Sequence, residues 1–297
     1  MKNDFAIFGL GELLWDLFPD GARFGGAPVN FACHAAALGA DVHVVTGVGN
    51  DELGRWALEA LASHSVKTDA VAIGDEASTG TVRVIVDAAG KATFTFASDV
   101  AWDHLHWSEG LLRFAANCDA ICFGTLAQRS AESRQTIQRF VAATRAGVLR
   151  VFDINLRPPF YSEEVIRESL GLANVLKLND DELPILAAMC GAAGSGAEVL
   201  MQLANRFDLQ LVALTRGPKG AILVRGGEVS EAPGVPVTVK DTVGAGDAFT
   251  AALVLGRLRN DPLDEINRRA CAIAAFVCSQ AGATPPLPDE LKRQFRA

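Results

Sequence analysis

The 297-residue chain has no excess of basic residues, no paired cysteine motif and no apolar run of membrane-spanning length, and each absence removes a class of function. Lys and Arg number 27 against 35 Asp and Glu, a formal net charge of −8. Nucleic acids and anionic membrane surfaces are recognised through basic patches, so neither is expected as a partner. A transmembrane helix needs about 20 mostly apolar residues in a row, and no segment qualifies. Met1-Lys2-Asn3-Asp4-Phe5 passes directly into a strand-like run without a signal-peptide pattern, so a cytoplasmic protein is expected. The six cysteines include no Cys-x-x-Cys pair; Cys118 with Cys122 and Cys271 with Cys278 read as small core residues. His-Glu-x-x-His is absent too, which leaves no zinc site, and His34 reads as a packing or substrate-rim residue. Two phosphate-handling classes fall on motif, because neither a Gly-x-x-x-x-Gly-Lys-Ser/Thr loop nor the protein-kinase set occurs. The dinucleotide fingerprint fails on spacing: after Gly9 and Gly11 it requires glycine where Leu14 stands.

What is present suits a small-molecule enzyme. With 49% apolar and 21% charged residues the chain can bury a large core, as one α/β domain with a small appendage or as two domains. The densest signal is Asp241-Thr242-Val243-Gly244-Ala245-Gly246-Asp247, which leads into an apolar helical segment. Two glycines around one small residue let backbone N–H groups converge, and a helix N-terminus adds unpaired donors and partial positive charge, so the stretch can cradle an anion. Asp247 falls in the first turn, where its pKa is expected to be held down, and a carboxylate beside such a nest suggests a general base. A tight loop with an Asp stabilising the helix end explains the same residues without function.

Residues 5–8 form a short apolar run ending in Gly9-Leu10-Gly11-Glu12, the pattern of a buried parallel strand opening into a ligand-side loop. Residues 14–18 read as a strand carrying Asp16 in an apolar setting. Gly25-Gly26-Ala27-Pro28-Val29-Asn30 opens a helix over 29–38 that Gly39 ends, with Asn30 in its first turn. Residues 81–87 and 91–96 alternate as strands around a hairpin turn at 88–90, and with the strand near Asp16 they predict a small antiparallel sheet. That sheet, drawn from about 13–26 and 70–100, suits a lid; a dimerisation surface is the alternative, giving a homodimer through the lid sheet.

From residue 120 onward strands alternate with helices, which predicts one parallel sheet covered on both faces, with ligands at the carboxyl ends of its strands. Three such ends carry polar groups. Extended geometry over 153–157 would put Asp153, Asn155 and Arg157 on one face, toward the cleft. Asn179-Asp180-Asp181-Glu182 fits an N-cap with Glu at the third helical position, worth about 1 kcal/mol as structure alone. Thr215-Arg216-Gly217-Pro218-Lys219-Gly220 is a glycine turn that a plain hairpin explains nearly as well as a nucleotide loop.

The Gly25–Asn30 block, the run Gly47-Val48-Gly49-Asn50-Asp51-Glu52-Leu53-Gly54 and the stretch from Asp241 to Phe249 together resemble the ribokinase-like carbohydrate kinases, the PfkB group, and within it the bacterial fructokinases. The resemblance covers essentially the whole chain as one kinase domain. It implies a three-layer α/β/α fold with a central, mainly parallel sheet and a small β-sheet lid. It implies ATP and Mg²⁺ as cofactors, with K⁺ as a further cation, and a free sugar as the second substrate. Asp247 matches the family's base, and Gly244, Ala245 and Gly246 its anion hole. Arg157 joins this set on the phosphate side of the sugar pocket. Asp16, Gly25, Gly26 and Asn30 match sugar-contacting positions. Lys177, Asn179, Glu182, Thr215, Gly217 and Gly220 fall to the nucleotide side with Gly244 and Gly246. Asn179 and Glu182 would organise Mg²⁺ through water, and Asp241 with the Val243 carbonyl matches a monovalent-cation site. The resemblance favours phosphorylation of fructose at a terminal hydroxyl. 2-Keto-3-deoxygluconate kinase, ribokinase and nucleoside kinase share the fold, and a sugar sensor without turnover is the reading from another class.

Overall fold

Apolar runs bounded by glycine and polar turns set the strands, and the computed structural model describes residues 5–86 and 92–295. In chain order the strands are β1 (Ala6–Leu10), β2 (Leu14–Phe18), β3 (Gly21–Gly25), β4 (Asp41–Gly49), β5 (Val71–Gly74), β6 (Gly80–Val86), β7 (Ala92–Phe96), β8 (Ala120–Phe123), β9 (Leu149–Asp153), β10 (Val175–Asn179), β11 (Leu211–Thr215), β12 (Ala221–Arg225) and β13 (Glu228–Ala232). The helices are α1 (Ala27–Ala37), α2 (Glu52–Ser63), α3 (Glu109–Asn117), α4 (Ala131–Ala142), α5 (Glu163–Leu172), α6 (Glu182–Cys190), α7 (Gly196–Phe207), α8 (Ala245–Leu258), α9 (Leu263–Cys278) and α10 (Asp289–Arg293).

A 9-stranded sheet runs in the order β13-β12-β11-β10-β9-β8-β1-β4-β5. It is parallel from β5 to β11, and β12 and β13 extend it as antiparallel strands. Strands buried on both faces explain the continuous apolar runs, such as Ala120–Phe123 with every residue buried. One core lies under α1, α2, α8 and α9, and a second under α3 to α7, which makes three layers. β1 pairs with β4 on one side and β8 on the other, so the chain reverses its direction of winding there, and such a reversal opens a crevice at the carboxyl ends of the strands. Among the described residues no helix is long and apolar enough to cross a membrane.

A separate 4-stranded sheet has the order β3-β2-β6-β7. Its outer pairs are antiparallel, but β2 and β6 run parallel, Leu14 opposite Gly80, so it is mixed rather than purely antiparallel. Residues 71–74, assigned from sequence to the lid region, instead extend the large sheet, with Val71 opposite Thr46 of β4. The reason is topological: β4, α2 and β5 form one βαβ unit, and the chain re-enters the small sheet only at Gly80. The hairpin turn expected at 88–90 lies outside the described residues.

Asp51 ties these two parts together. Its Oδ1 accepts from Gly54 N at 2.7 Å, capping α2, and from Thr79 Oγ1 at 2.7 Å, while Oδ2 accepts from Thr79 N at 2.8 Å. Thr79 precedes β6, so one carboxylate fixes both a helix start and the place where the chain leaves for the small sheet. Burial works against the charge, yet the Thr79 and Gly54 hydrogen bonds and Arg55 outweigh it and hold the Asp51 carboxyl below its ordinary pKa. Asp51→Ala is expected to lower unfolding free energy by about 2 kcal/mol in denaturant titrations at neutral pH, a cap plus charge-assisted bonds. Because the folded pKa is depressed, this contribution is present above the unfolded carboxylate range and shrinks as pH falls through the folded value.

Candidate active site

Two helix N-termini meet at the carboxyl ends of the parallel strands. α1 starts after Gly26 with Pro28 in its first turn, and α8 starts after Gly244. Gly244 has φ 78, and a Cβ there would overlap the Ala283 carbonyl, so glycine is required by backbone and by space. The first-turn N–H groups of α8 have no intrahelical acceptor, and Ala245 N reaches only the Thr242 carbonyl at 3.4 Å. α8 is buried along Ala248 to Gly256, which fixes its axis and aims that N-terminus at the crevice.

Asn30 and Asp247, 217 residues apart in sequence, are joined side chain to side chain. Asn30 Nδ2 donates to Asp247 Oδ2 at 2.9 Å, while Asn30 Oδ1 is buried without a partner. The expectation that the helix N-terminus would hold the Asp247 pKa down is wrong. Burial pushes it up to about 6, with the neighbouring Asp153 charge adding to the rise, against the opposing pull of Asn30, Lys177 and Arg157. A first-turn dipole acts at fractions of a charge, whereas desolvation and a full carboxylate charge act at whole ones.

Lys177 lies beneath the nest, and a Cβ on Gly246 would stand 3.0 Å from its Nζ. Its ammonium is buried and paired with Asp153 Oδ1 at 3.1 Å; Thr250 Oγ1 lies 3.0 Å from Asp153 Oδ2. Burial alone would lower the Lys177 pKa, but Asp153, Glu182 and Asp247 reverse the sign and raise it, so the ammonium stays charged. Asp153 is therefore a buried counter-ion rather than one of three groups on a common cleft face. β9 ends at Asp153, and Asn155 takes a left-handed φ of 38, which breaks the two-residue alternation. Arg157 is exposed, with Nη1 donating to its neighbour's carbonyl at 3.2 Å, yet its charge bears on Glu12, Asp16 and Asp247.

Asp16 sits on β2 of the small sheet opposite Arg23. A Cβ on Gly25 would lie 3.6 Å from Asp16 Oδ2 and 3.9 Å from Asn30 Oδ1, so glycine there leaves the two polar groups facing one space. Burial raises the Asp16 pKa to about 6. On the other flank Asn179 Oδ1 accepts from Glu182 N at 2.9 Å and Glu182 Oε2 accepts from Asn179 N at 2.8 Å, reciprocal bonds as in a capping box. They close the turn before α6, whose first residue is Glu182 rather than a residue two positions earlier. Glu182 Oε1 accepts from Leu156 N at 2.8 Å, and burial raises its pKa. Thr215 ends β11, and Gly217 and Gly220 take positive φ in the turn to antiparallel β12. Asp241 accepts from Val243 N at 3.0 Å and Gly282 N at 3.2 Å, so its carboxylate organises loop backbone. Among the described residues no group of three or more His, Cys, Asp or Glu side chains is placed to hold a metal. Asn179 Oδ1 and both carboxylate oxygens of Glu182 already accept backbone N–H groups, so a cation nearby would be met through water rather than by direct ligation.

A small pocket under Asp247 is lined by Pro28, Phe31, Cys122, Phe123 and Asp153. A larger surface cavity of about 430 Å³ lies elsewhere, at Cys190, Gly191 and Arg206, where Arg206 donates to the Cys190 carbonyl and Gln202 bonds Ala193. Sequence alone assigns Glu12 no role, and His34, expected as a packing or substrate-rim residue, packs behind the nest. His34 Nε2 lies 2.9 Å from the Ala283 carbonyl, the same residue that backs Gly244, and burial lowers its pKa to about 4. Glu12 is buried at the end of the β1 turn; its Oε1 accepts from Ala27 N at 3.3 Å, and Oε2 has no partner. Its position just past a parallel strand is the signal that could have found it. Burial raises its pKa to about 7. The folded protein thus keeps a proton that the unfolded chain releases near the ordinary glutamate value, and Glu12's contribution to stability declines as pH rises through that window. Glu12→Gln is expected to raise the melting temperature relative to the parent more at about pH 8 than at about pH 5; thermal melts at both values check it.

The pfkB family of carbohydrate kinases matches residues 20–290. A fructokinase of Klebsiella pneumoniae is 32% identical across 97% of this chain and 99% of its own length. The structure of a sugar kinase of Pyrococcus horikoshii in complex with ATP superposes with TM-score 0.82 at 29% identity, covering 97% of this chain and 99% of that one. A fructokinase of Vibrio cholerae O395, in its fructose, ADP and calcium ion bound form, gives TM-score 0.82 at 25% identity over 99% of this chain and 100% of that one. The matched span takes in both helices that meet at Asn30 and Asp247, and the chain belongs to the pfkB family of carbohydrate kinases.

Proposed function

We propose that the protein is an ATP-dependent sugar kinase that transfers the γ-phosphoryl group to a terminal hydroxyl of free fructose. The observation that carries this reading is the Asn30–Asp247 hydrogen bond, which sets a carboxylate between the Gly25–Gly26 turn and the glycine nest at Gly244. Asn30 occupies Oδ2, leaving Oδ1 of Asp247 to take the sugar hydroxyl proton as that oxygen bonds to phosphorus and the bond to the departing ADP oxygen breaks. With its pKa at about 6 the carboxylate is ionised at neutral pH yet basic enough to accept a proton, the compromise that general-base work needs. The α8 N–H groups and the Lys177 ammonium lie where negative charge gathers on the transferring group, which is the main demand of phosphoryl transfer.

Asp16 with Asn30 makes the sugar side, Arg157 flanks it, and Thr215, Gly217 and Gly220 make the nucleotide side. The small sheet, which carries Asp16, is the lid. Mg²⁺, held by ATP phosphates and by water on Asn179 and Glu182, would neutralise phosphate charge when bound. The fructokinase relatives support fructose over other sugars.

An ATP-consumption assay across fructose, ribose, 2-keto-3-deoxygluconate and adenosine tests the substrate; a clear preference for anything but fructose sinks that assignment. Asp247→Asn is expected to lower kcat by about 10³-fold while sugar affinity stays within a few fold. Retained turnover would remove Asp247 from the base role. In the parent enzyme kcat/KM should fall as pH drops through about 6, because the base must be ionised; an acid limb near the ordinary aspartate value would contradict the buried setting.

A further inference from the structure

Outside the site Arg129 is a heavily committed side chain. It follows β8 on a short 3-10 turn, Leu126–Arg129, and its guanidinium is largely buried. Nε and Nη2 bond both oxygens of Asp103, at 2.8 and 2.7 Å, and Nη2 also donates to the Ala97 carbonyl at 2.6 Å. Its Cζ stands 4.0 Å from the ring centroid of Trp102 and 5.1 Å from that of Phe160. Nη1 is buried without a partner.

Each of these contacts reaches a different strand of the problem. Ala97 is the residue at which the chain returns from β7 of the small sheet, and its N–H donates to Thr81 O at 2.9 Å. Trp102 packs on Gly80, where the chain leaves for β6: a Cβ on Gly80 would overlap the indole Nε1. Phe160 packs against Phe96 of β7 at 5.3 Å between ring centroids, and its N–H donates to the Arg157 carbonyl at 2.7 Å. Asp103 in turn accepts from Val100 N at 3.1 Å, and Ser130 Oγ donates to the Asp103 carbonyl at 2.6 Å, so the ion pair is held from both sides.

The geometry points to Arg129 as a positioning residue for the reaction: it clamps both crossings of the β6–β7 pair, the second of the chain's two excursions into the small sheet, and through Phe160 sets them in register with the Arg157 segment. Through the pairing of β2 with β6 the guanidinium then bears on the stance of Asp16 over the sugar, and through Phe160 on the placement of Arg157, while touching neither substrate. Arg supplies what Lys lacks, a planar fork that binds a carboxylate and a carbonyl at once while stacking on aromatic faces. The inference rests on the sugar-kinase reading with the small sheet as a lid.

Arg129→Lys keeps the charge and removes the fork and the stack. Its expected effect is a rise in sugar KM on the order of tenfold with the KM for ATP within about twofold, because a small misplacement of the sugar side is costly. Amide exchange over residues 80–85 and 93–97 should quicken in the free variant. Arg139→Lys is the control, since Arg139 also stacks on an indole, 4.5 Å from Trp107, but reaches neither crossing. It should lower thermal stability without moving sugar KM. Sugar KM unchanged in Arg129→Lys, or raised equally in Arg139→Lys, overturns the proposal. The parent enzyme separates the two readings: if exchange in those segments is unaltered by sugar plus a non-hydrolysable ATP analogue, the lid fails, while the KM comparison still decides Arg129.

Discussion

One hydrogen bond, from Asn30 Nδ2 to Asp247 Oδ2, joins the beginnings of two helices that lie at opposite ends of the sequence. Both are held on the same face of the sheet by the core that contains Val29, Phe31, Phe249 and Leu253. Neither helix start has a side-chain cap of its own, and glycine precedes each. The donors of α8 are therefore turned outward, toward whatever occupies the crevice, while at α1 Pro28 has no N–H and Ala27 N is taken by Glu12, and the bond between the two helices sets the spacing. The parallel sheet, its winding reversal at β1 and the two flanking layers all serve to hold that pair of N-termini side by side.

The electrostatics follow from how few positive groups lie inside. Asp153, Glu182 and Asp247 crowd around one buried ammonium, Lys177, with Glu12 near Asp247 and Arg157 at the rim. One cation cannot neutralise four carboxylates in a low-dielectric setting, so some of them hold protons more tightly than in water. Glu12, Asp16 and Asp247 are all displaced upward into the range near neutrality. Asp153 pairs with Lys177 at 3.1 Å, and its charge adds to the rise of the Asp247 pKa, a rise that Lys177 opposes. The raised Asp247 pKa thus arises first from burial and then from the neighbouring Asp153 charge, which is the setting that the proposed base role requires.

Much of this was legible in the sequence because it is local. The glycine nest, the Gly25–Asn30 turn and the strand-then-helix alternation are written in adjacent residues. What was not legible depends on partners far away. Asp153, Asn155 and Arg157 alternate as a strand would, but the left-handed turn at Asn155 separates them, and spacing alone carries no sign of it. The Asp247 pKa follows from burial and from Asp153, not from its place in the helix. Val71–Gly74 reads like its neighbours in the small sheet, and only pairing with β4 assigns it elsewhere. Arg129 and Asp103 carry no motif at all, and their meaning comes from what the fold brings against them.

The bond between His34 Nε2 and the Ala283 carbonyl has a further consequence. A carbonyl can only accept, so the ring must carry its proton on Nε2, and with a pKa near 4 it does so as a neutral tautomer throughout the physiological range. The link from α1 to the loop backing Gly244 is therefore uncharged. Dissolved salt does not screen it, and a cell's swings in acidity do not switch it. The scaffold behind the nest is insulated from the ionic conditions to which the carboxylates in front of it respond.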